Sequence, residues 1–198
     1  MLGHVRLPFR FDVARMQAEV ASLPAEAWVA HYNTRDYDGD WTGVALRSSG
    51  GRDGWLFPTP PGGAPCADTP TLTRLPYLAQ VLATLECPLE NARLLKLHAG
   101  SSIREHSDHT LGYADGLVRL HVPVVTNAEV TFFLEGEPVA MGEGECWYLD
   151  LNRPHRVDNH SAEDRVHLVI DCVVDVWLDN VIVEAGLVVD VVEPVFPE

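Results

Sequence analysis

Residues 117–125 read LVRLHVPVV, a run in which apolar residues alternate with other side chains. Successive side chains of a β-strand point to opposite faces, so an alternating run predicts a strand with two unlike faces. The apolar face would consist of Val118, Leu120 and Val122. The opposite face would carry Arg119, His121 and Pro123. A strand of this kind packs its apolar face into a core, and the other face needs a separate explanation.

Residues 165–172 read RVHLVIDC and repeat the pattern, with Arg165 and His167 on one face and an unbroken apolar set on the other. Two explanations of the Arg/His faces stay open. They could be outer surfaces that form ion pairs with residues such as Glu163 or Asp164. Alternatively, they could line the mouth of a barrel, where an arginine fork would bind a carboxylate.

The rest of the chain beyond residue 91 favours a mainly β fold. The runs ARLLKLH, VTFFLE and GECWYLD are short, rich in Val, Leu and aromatic residues, and separated by Gly, Pro, Asn or Asp. Several short strands with regular turn signals predict an antiparallel barrel or sandwich. We therefore expect a double-stranded β-helix, that is, a jelly-roll or cupin-like core.

Two helices are predicted before this core. Residues 9–23 have apolar side chains at helical spacing, with Asp12 as a plausible N-cap and Pro24 beyond the end. A second helix is expected over roughly Pro76 to Leu85. Because the helices come first and the strands afterwards, the helices should pack on the outside of the jelly roll.

The length of 198 residues and the hydrophobic content of 46% suit one domain. We divide it into helices and loops at 1–90, a jelly-roll core at 91–178, and an acidic, apolar tail at 179–198. The tail is expected to add an edge strand or to lie against a partner, including a second copy in a homodimer. Residues 50–65 are rich in Gly and Pro, and they would form either a lid or a loop anchored by Trp55.

The formal charge of −15 disfavours nucleic acid and anionic membranes as partners, which leaves a small molecule or peptide. The N-terminal residues lack the apolar run of a signal peptide, and no stretch has the length of a membrane span. The four cysteines form no CxxC pair and should be free thiols in a reducing compartment. These features predict a soluble, cytoplasmic protein.

Residues 105–110 read EHSDHT and contain candidate metal ligands. If residues 104–108 are extended, His106 and Asp108 point to the same side, and His155 could supply a third ligand from a distant strand. Two histidines and one carboxylate form a facial triad, which leaves positions open on an octahedral metal. The alternative at this point is a solvated polar loop, because HxD followed by a distant histidine is a weak pattern.

Four blocks together resemble the aspartyl/asparaginyl β-hydroxylase family of Fe(II)- and 2-oxoglutarate-dependent dioxygenases. They are LLKLHAGSSIREHSD, VRLHVPVV, GECWYLDLNRPHRVDN and RVHLVIDCVVDVW, within roughly residues 70–178. The smaller bacterial members, which include the free-proline cis-hydroxylases, are similar in length and layout. Vertebrate members have glycine in place of the triad carboxylate, whereas this chain has Asp108.

The resemblance implies roles for particular residues of the four blocks. His106, Asp108 and His155 would bind Fe(II), and Arg165 would pair with the distal carboxylate of 2-oxoglutarate. Further cosubstrate contacts would come from Arg119 and His121, with Leu95 and Leu97 lining the same pocket. Arg93 would face the substrate.

The resemblance also implies an activity. The protein would use dioxygen to hydroxylate an unactivated C–H bond of a free amino acid or a peptide residue, with release of succinate and CO2. Two alternatives are a cupin-like metalloenzyme that does not use 2-oxoglutarate, and a non-enzymatic metal-dependent sensor or binding domain. The candidates for gripping a substrate carboxylate are the arginines at 35, 47, 52, 93 and 104.

Overall fold

A computed structural model describes residues 3–186 of the chain. Within that range the strands are β1 (His4–Arg10), β2 (Val29–Ala30), β3 (Tyr37–Asp38), β4 (Trp41–Ser49), β5 (Cys66–Asp68), β6 (Leu89–Leu97), β7 (Ser102–His106), β8 (Leu117–Val125), β9 (Val130–Leu134), β10 (Glu137–Val139), β11 (Glu145–Leu149), β12 (His155–Asn159) and β13 (Arg165–Val173). The α-helices are α1 (Val13–Ala21), α2 (Pro76–Ala83) and α3 (Val176–Glu184). Short 3-10 turns cover Ala25–Ala27, Leu72–Arg74 and Tyr113–Asp115.

The strands form two antiparallel sheets. The larger sheet has the order β1-β11-β8-β13-β6-β4-β2, with β5 paired to β4, and the smaller has the order β10-β9-β12-β7-β3. Side chains from both sheets share one apolar cluster, which includes Leu95 and Val169 of the larger sheet and Phe132 and Val157 of the smaller. Two facing sheets around a common interior confirm the expected mainly β jelly-roll core.

The other face of the larger sheet packs against the helices. Val118, Leu120 and Val122 of β8 are fully buried in a second cluster, together with Met16 of α1 and Leu78 of α2. This is the apolar face predicted from the alternation in LVRLHVPVV. Since that face meets the helices, the Arg/His faces of β8 and β13 point into the space between the two sheets.

Both helices predicted from the sequence are present. Asp12 caps α1, since its Oδ1 accepts from the backbone N–H of Arg15 at 3.1 Å. Glu19 of α1 then caps α2, accepting from the N–H groups of Tyr77 at 2.7 Å and Leu78 at 2.9 Å. A carboxylate at a helix N-terminus stabilises both the unpaired N–H groups and the helix dipole. This contact fixes the two helices side by side on the outer face.

Three boundary expectations need correction. Residues 4–10, not predicted as a strand, form β1 and pair with β11 at the edge of the larger sheet. The division at residue 90 is not structural, because β4 pairs with β6 across it. Residues 176–184 form α3 rather than an edge strand, with Leu178 and Ile182 buried against the helical cluster. The remainder of the predicted tail, residues 187–198, lies outside the described residues, and the homodimer expected through it stays a prediction.

Among the described residues, no helix has the length and apolar character needed to cross a membrane.

Candidate metal centre

The fold places the two candidate histidine ligands directly opposite each other. His106 is the last residue of β7, His155 is the first residue of β12, and the two are partners in the antiparallel ladder. Their ring centroids are 4.3 Å apart. Ligand atoms of His106, Asp108 and His155 all lie within 4.8 Å of one another. The structure therefore brings together the three residues singled out from the sequence.

Asp108 lies two residues beyond the end of its strand. Strand alternation assumes that residues 104–108 are extended, and β7 covers them only as far as His106. Beyond the strand, the Asp108 N–H donates to the Leu151 carbonyl at 2.8 Å. That bond to the segment before β12 holds the backbone of Asp108 beside the two histidines.

The backbone also fixes which nitrogen of each imidazole faces the site. Nδ1 of His106 lies 2.8 Å from the Arg104 carbonyl oxygen, and Nδ1 of His155 lies 3.0 Å from that of Arg153. A carbonyl only accepts, so each Nδ1 carries the hydrogen and each Nε2 keeps a lone pair. Burial is the main reason that the pKa of His155 is lowered, which favours the neutral form that binds metals.

Arg119 binds one oxygen of the Asp108 carboxylate and leaves the other oxygen directed at the two histidines. Nη1 of Arg119 donates to Oδ2 at 2.6 Å, whereas Oδ1 lies 3.8 Å from Nε2 of His106. The donor set directed at the centre is thus two imidazole nitrogens and one carboxylate oxygen. That set fits a divalent transition ion with further positions open, and it lacks the thiolates typical of a closed structural zinc site.

The triad borders a cavity between the two sheets. Four residues predicted to bind cosubstrate or substrate also line it, and these are Leu95, Arg119, His121 and Arg165. Arg93, the predicted substrate residue, lines it as well. Leu97 shares a strand face with Leu95 but does not belong to the lining. It is fully buried between Trp41 and Arg165, its partners on the neighbouring strands, and its predicted place beside the cosubstrate stays a prediction.

Arg165 is a buried cation that is not neutralised by an acidic partner among the described residues. Its side chain is 3% exposed, and Nη2 donates to Nδ1 of His167 at 2.7 Å. Burial lowers the pKa of Arg165 to about 9, so the group remains charged at neutral pH. Burying a charge without a counter-ion is costly, which marks Arg165 as a site for an anion.

Unpaired polar atoms are concentrated around the same cavity. In residues 3–186, six buried side-chain nitrogen or oxygen atoms have no hydrogen-bond partner. Four of them belong to cavity-lining residues, namely Nε1 of Trp41, Nε of Arg93, Nε2 of His121 and Nε of Arg165. Buried polar groups in proteins are nearly always paired, so such a concentration indicates a place for a polar ligand. Three of the four are N–H donors, which suit the oxygens of carboxylates.

The positive charge of the cavity comes from its arginines. Burial, followed by the charge of Arg165, lowers the pKa values of His121 and His167 well below their ordinary value. Burial also lowers the pKa of His31, a further lining residue, to about 3. All three imidazoles are therefore neutral at physiological pH, where they can accept hydrogen bonds as well as donate them.

Several residues in the lining or directly behind it were missed from the sequence. Asp171 could have been found, because strand alternation from Arg165 and His167 continues to it on the same face. It accepts from Nε of Arg119 at 2.6 Å and from Nη2 of Arg93 at 2.7 Å. The segment HYNTRDYDGD, residues 31–40, gave no signal of a site, and it supplies His31 and Tyr32 to the cavity mouth.

A stack of aromatic rings connects this mouth to the Gly/Pro-rich loop. The centroid of His31 lies 3.6 Å from that of Trp41 and 4.5 Å from that of Tyr32. Tyr32 in turn stacks on Phe57 at 4.5 Å, and Phe57 lies 5.0 Å from Trp55. The loop at residues 50–65 is thus in contact with the mouth, as either a lid or an anchored loop would be.

Other arginines considered as carboxylate ligands are engaged elsewhere. Arg47 pairs with Asp68 at 2.7 Å, and Arg104 pairs with Asp38. Arg52 lies over the ring of Trp55 at 3.7 Å. Of the five candidates, Arg93 is the one in the cavity lining.

Two histidines and a carboxylate at the open end of a jelly roll are the metal-binding arrangement of the non-haem iron oxygenases. Residues 10–174 match the family model described as Aspartyl/Asparaginyl beta-hydroxylase. The chain therefore belongs to the aspartyl/asparaginyl β-hydroxylase family, as its four sequence blocks suggested.

A relative of known activity is the L-proline cis-4-hydroxylase of Rhizobium meliloti (strain 1021). The two are 30% identical over 174 residues, which cover 86% of this chain and 61% of the relative. The chain thus spans less than two thirds of the length of that hydroxylase.

Two solved structures have similar folds. One is an oxidoreductase of the 2OG-Fe(II) oxygenase family from Burkholderia pseudomallei, with a TM-score of 0.53, 18% identity, and coverage of 86% of this chain and 85% of the other. The other is a Pseudomonas putida prolyl-4-hydroxylase, with a TM-score of 0.53, 13% identity, and coverage of 87% and 93%. At these identities the likeness concerns the fold alone.

Proposed function

We propose that the protein is an Fe(II)- and 2-oxoglutarate-dependent dioxygenase that hydroxylates a free amino acid or a residue of a short peptide. The observation that carries this proposal is the pairing of an open His-Asp-His centre with a buried, uncompensated arginine in one cavity. A site for a metal alone would not require Arg165. A dicarboxylate that chelates the metal requires both the metal centre and a buried cation such as Arg165.

His106, Asp108 and His155 would hold the metal through Nε2, Oδ1 and Nε2 respectively. Fe(II) with bound 2-oxoglutarate supplies dioxygen activation, coupled to oxidative decarboxylation of the cosubstrate to succinate and CO2. The protein contributes positioning and exclusion of water. No side chain is needed as a general acid or base for removal of hydrogen from a C–H bond, which agrees with a site made of ligands and cationic clamps.

Arg165 would hold the distal carboxylate of 2-oxoglutarate. The charge-assisted hydrogen bonds offered by its guanidinium are roughly twice as strong as neutral ones, and the low-dielectric surroundings strengthen them further. His121, with its unpaired Nε2, lies on the same wall and would contribute a further polar contact. Leu95 would pack against the apolar middle of the cosubstrate.

The proposed substrate is small and carries a carboxylate. Arg93 is 3% exposed, lines the cavity, and has an unpaired Nε in addition to its bond to Asp171. A substrate carboxylate would satisfy that donor. The relative from Rhizobium meliloti is named for hydroxylation of L-proline, so L-proline is the first substrate to test. A location in the cytoplasm is part of the proposal and is supported by the free state of all four cysteines.

The test is a screen of free L-amino acids and short peptides with Fe(II), 2-oxoglutarate and dioxygen. Succinate and a product heavier by one oxygen atom should form in equal amounts with the right substrate. Metal-dependent turnover that ignores 2-oxoglutarate would instead support a cupin-like metalloenzyme. Cosubstrate binding without turnover of any substrate would favour a sensor or binding domain.

A further inference from the structure

We infer that Asp171 is a positioning residue for the metal centre, acting through Arg119 on the ligand Asp108. Asp171 lies on β13, on the same strand face as Arg165 and His167, and is 3% exposed. This inference rests on the proposed metal site and concerns how the fold holds one of its ligands.

The contacts form a chain that ends at the metal ligand. Asp171 binds Arg119 with both oxygens, since Oδ1 accepts from Nε at 2.6 Å and Oδ2 accepts from Nη2 at 3.1 Å. This two-pronged contact fixes the plane of the guanidinium. The remaining nitrogen, Nη1, then points to Oδ2 of Asp108 at 2.6 Å. Asp171 thus decides where Arg119 holds the ligand carboxylate, without itself being part of the triad.

The strand register explains why the series of contacts from Asp171 through Arg119 to Asp108 is rigid. Asp171 of β13 is the direct partner of Arg119 of β8 in the antiparallel ladder, so the two side chains leave adjacent backbone positions on one face. Both strands are central in the larger sheet, flanked by other strands on each side. Asp108, by contrast, lies two residues beyond the end of β7, outside any strand. The larger sheet therefore supports Asp108, the one ligand of the three that does not lie in a strand.

Charge explains why the contact is retained in the interior. Asp171, Asp108, Arg93 and Arg119 form a neutral cluster of two carboxylates and two guanidinium groups. The pKa of Asp171 is lowered by the charges of Arg119 and Arg93, which outweigh the opposing effect of burial. Asp171 is thus ionised, and Arg119 is shared between it and Asp108 rather than given wholly to Asp108.

A purely structural role is the competing explanation. In that case the Arg93–Asp171–Arg119 bridge would only stabilise the interior, and its loss would lower stability without a specific effect on the metal. The two explanations differ in a measurable way, because partners that orient metal ligands typically change metal affinity 10–100-fold when they are removed.

The experiment is a titration of metal-free protein with Co(II) alone, by calorimetry and by the visible d–d spectrum of bound Co(II). Removing Asp171 alone would leave the buried guanidinium of Arg93 without an acidic partner, so the principal variant is the charge-neutral pair Arg93→Gln with Asp171→Asn. Its matched control is Arg93→Gln, which keeps Asp171 on Arg119. We expect the control to bind Co(II) within about 3-fold of wild type and the pair to bind about 10–100-fold more weakly, with an altered d–d spectrum.

A second comparison tests whether Asp171 acts through Arg119. Arg119→Gln should weaken Co(II) binding, and adding Asp171→Asn to it should cost less than about 3-fold more, because the connection is already broken. An equal cost of Asp171→Asn in both backgrounds would show a through-space charge effect and overturn the inference. Wild-type affinity and spectrum in the charge-neutral pair would overturn it as well. Failure of the wild type to bind Co(II) would contradict the metal site itself, which separates the two proposals.

Discussion

Arg165 donates from Nη2 to Nδ1 of His167, and this 2.7 Å contact with a neutral imidazole leaves the charge of the buried guanidinium uncompensated. The relationship arises from the strand itself, because residues two apart on β13 share a face. His167 orients Arg165 toward the cavity without neutralising it. An arginine held in this way is prepared to bind an anion.

Replacing Arg165 with Met should remove cosubstrate binding while leaving metal binding nearly intact. Losing one partner of a buried charge pair costs about 2–5 kcal/mol, so the Kd for 2-oxoglutarate should rise at least about 30-fold. The measurement is calorimetric titration of 2-oxoglutarate into the anaerobic Fe(II) protein. Arg10→Met is the control, since Arg10 lies at the edge of the sheet with its side chain 72% exposed. An unchanged Kd would refute the role of Arg165, and equal loss of metal and cosubstrate would indicate misfolding.

Replacing Asp108 with Ala should weaken binding of Fe(II) at least about 100-fold in the absence of any cosubstrate. The change removes the one anionic ligand and leaves Arg119 beside the centre without its Asp108 partner. Asp164→Ala is the matched control, because Asp164 is a half-exposed carboxylate that pairs with Lys96 and His98 away from the cavity. Tight Fe(II) binding by Asp108→Ala would mean that the three groups converge without forming a metal site.

Two neighbouring residues of the Gly/Pro-rich loop should behave differently. Leu56 is 2% exposed and packs where Gly43 has no side chain, since a Cβ at Gly43 would lie 3.0 Å from Leu56 Cδ1. Leu56→Ala should therefore lower the free energy of unfolding by about 2–4 kcal/mol. Denaturant unfolding measures this, and a loss below about 1 kcal/mol would show that the loop is not anchored.

Phe57, which is 44% exposed and stacks on Tyr32, should affect function instead. Phe57→Ala should change the free energy of unfolding by about 0.5 kcal/mol or less. It should also lower the ratio of hydroxylated product to succinate, because the aromatic stack at the cavity mouth is broken. A normal ratio would mean that the loop does not close the site and only packs beside it.

The stability of the metal-free protein should fall as the pH drops below 6.5. The pKa of His31 is about 3 in the folded protein, against an ordinary value of 6.5, and the pKa values of His121 and His167 are also lowered. Below pH 6.5 the unfolded chain therefore binds protons that the folded chain does not. Each such histidine should cost about 1.4 kcal/mol per pH unit.

Urea unfolding at several pH values between 7.5 and 5 measures this slope. His31→Phe keeps a ring between Trp41 and Tyr32 but removes one titrating group. Its slope should be smaller by about 0.7 kcal/mol per pH unit at pH 6.5, and by about 1.4 kcal/mol per pH unit at pH 5. An identical slope in the variant would mean that His31 is not held neutral by its surroundings.

Much of the fold could be read from the sequence because the pattern is local. Alternation in LVRLHVPVV and RVHLVIDC separated the apolar faces from the Arg/His faces correctly, and Asp12 and Pro76 marked the starts of helices. β1 was missed because HVRLPFR contains a proline and three basic or imidazole side chains, and its strand character comes from pairing with β11. Tertiary pairing of this kind is not visible in a single segment.

The candidate site, too, could be predicted only in part from the sequence. His106 and His155 were found through residue type and spacing, but their exact opposition depends on the register of β7 and β12. Arg119 was expected to contact the cosubstrate, a role that stays a prediction, and its three contacts with Asp108 and Asp171 were not foreseen. Such contacts require knowing which strands are neighbours. Alternation could nevertheless have placed Asp171 on the functional face.

The central claim is that one cavity holds both a metal on the His-Asp-His triad and a chelating 2-oxo acid on Arg165. It is tested most directly by adding Fe(II) and then 2-oxoglutarate to metal-free protein under anaerobic conditions. We expect the weak visible charge-transfer band of an iron-bound 2-oxo acid, lost in Asp108→Ala and weakened in Arg165→Met. Iron binding without that band at saturating 2-oxoglutarate would contradict the claim.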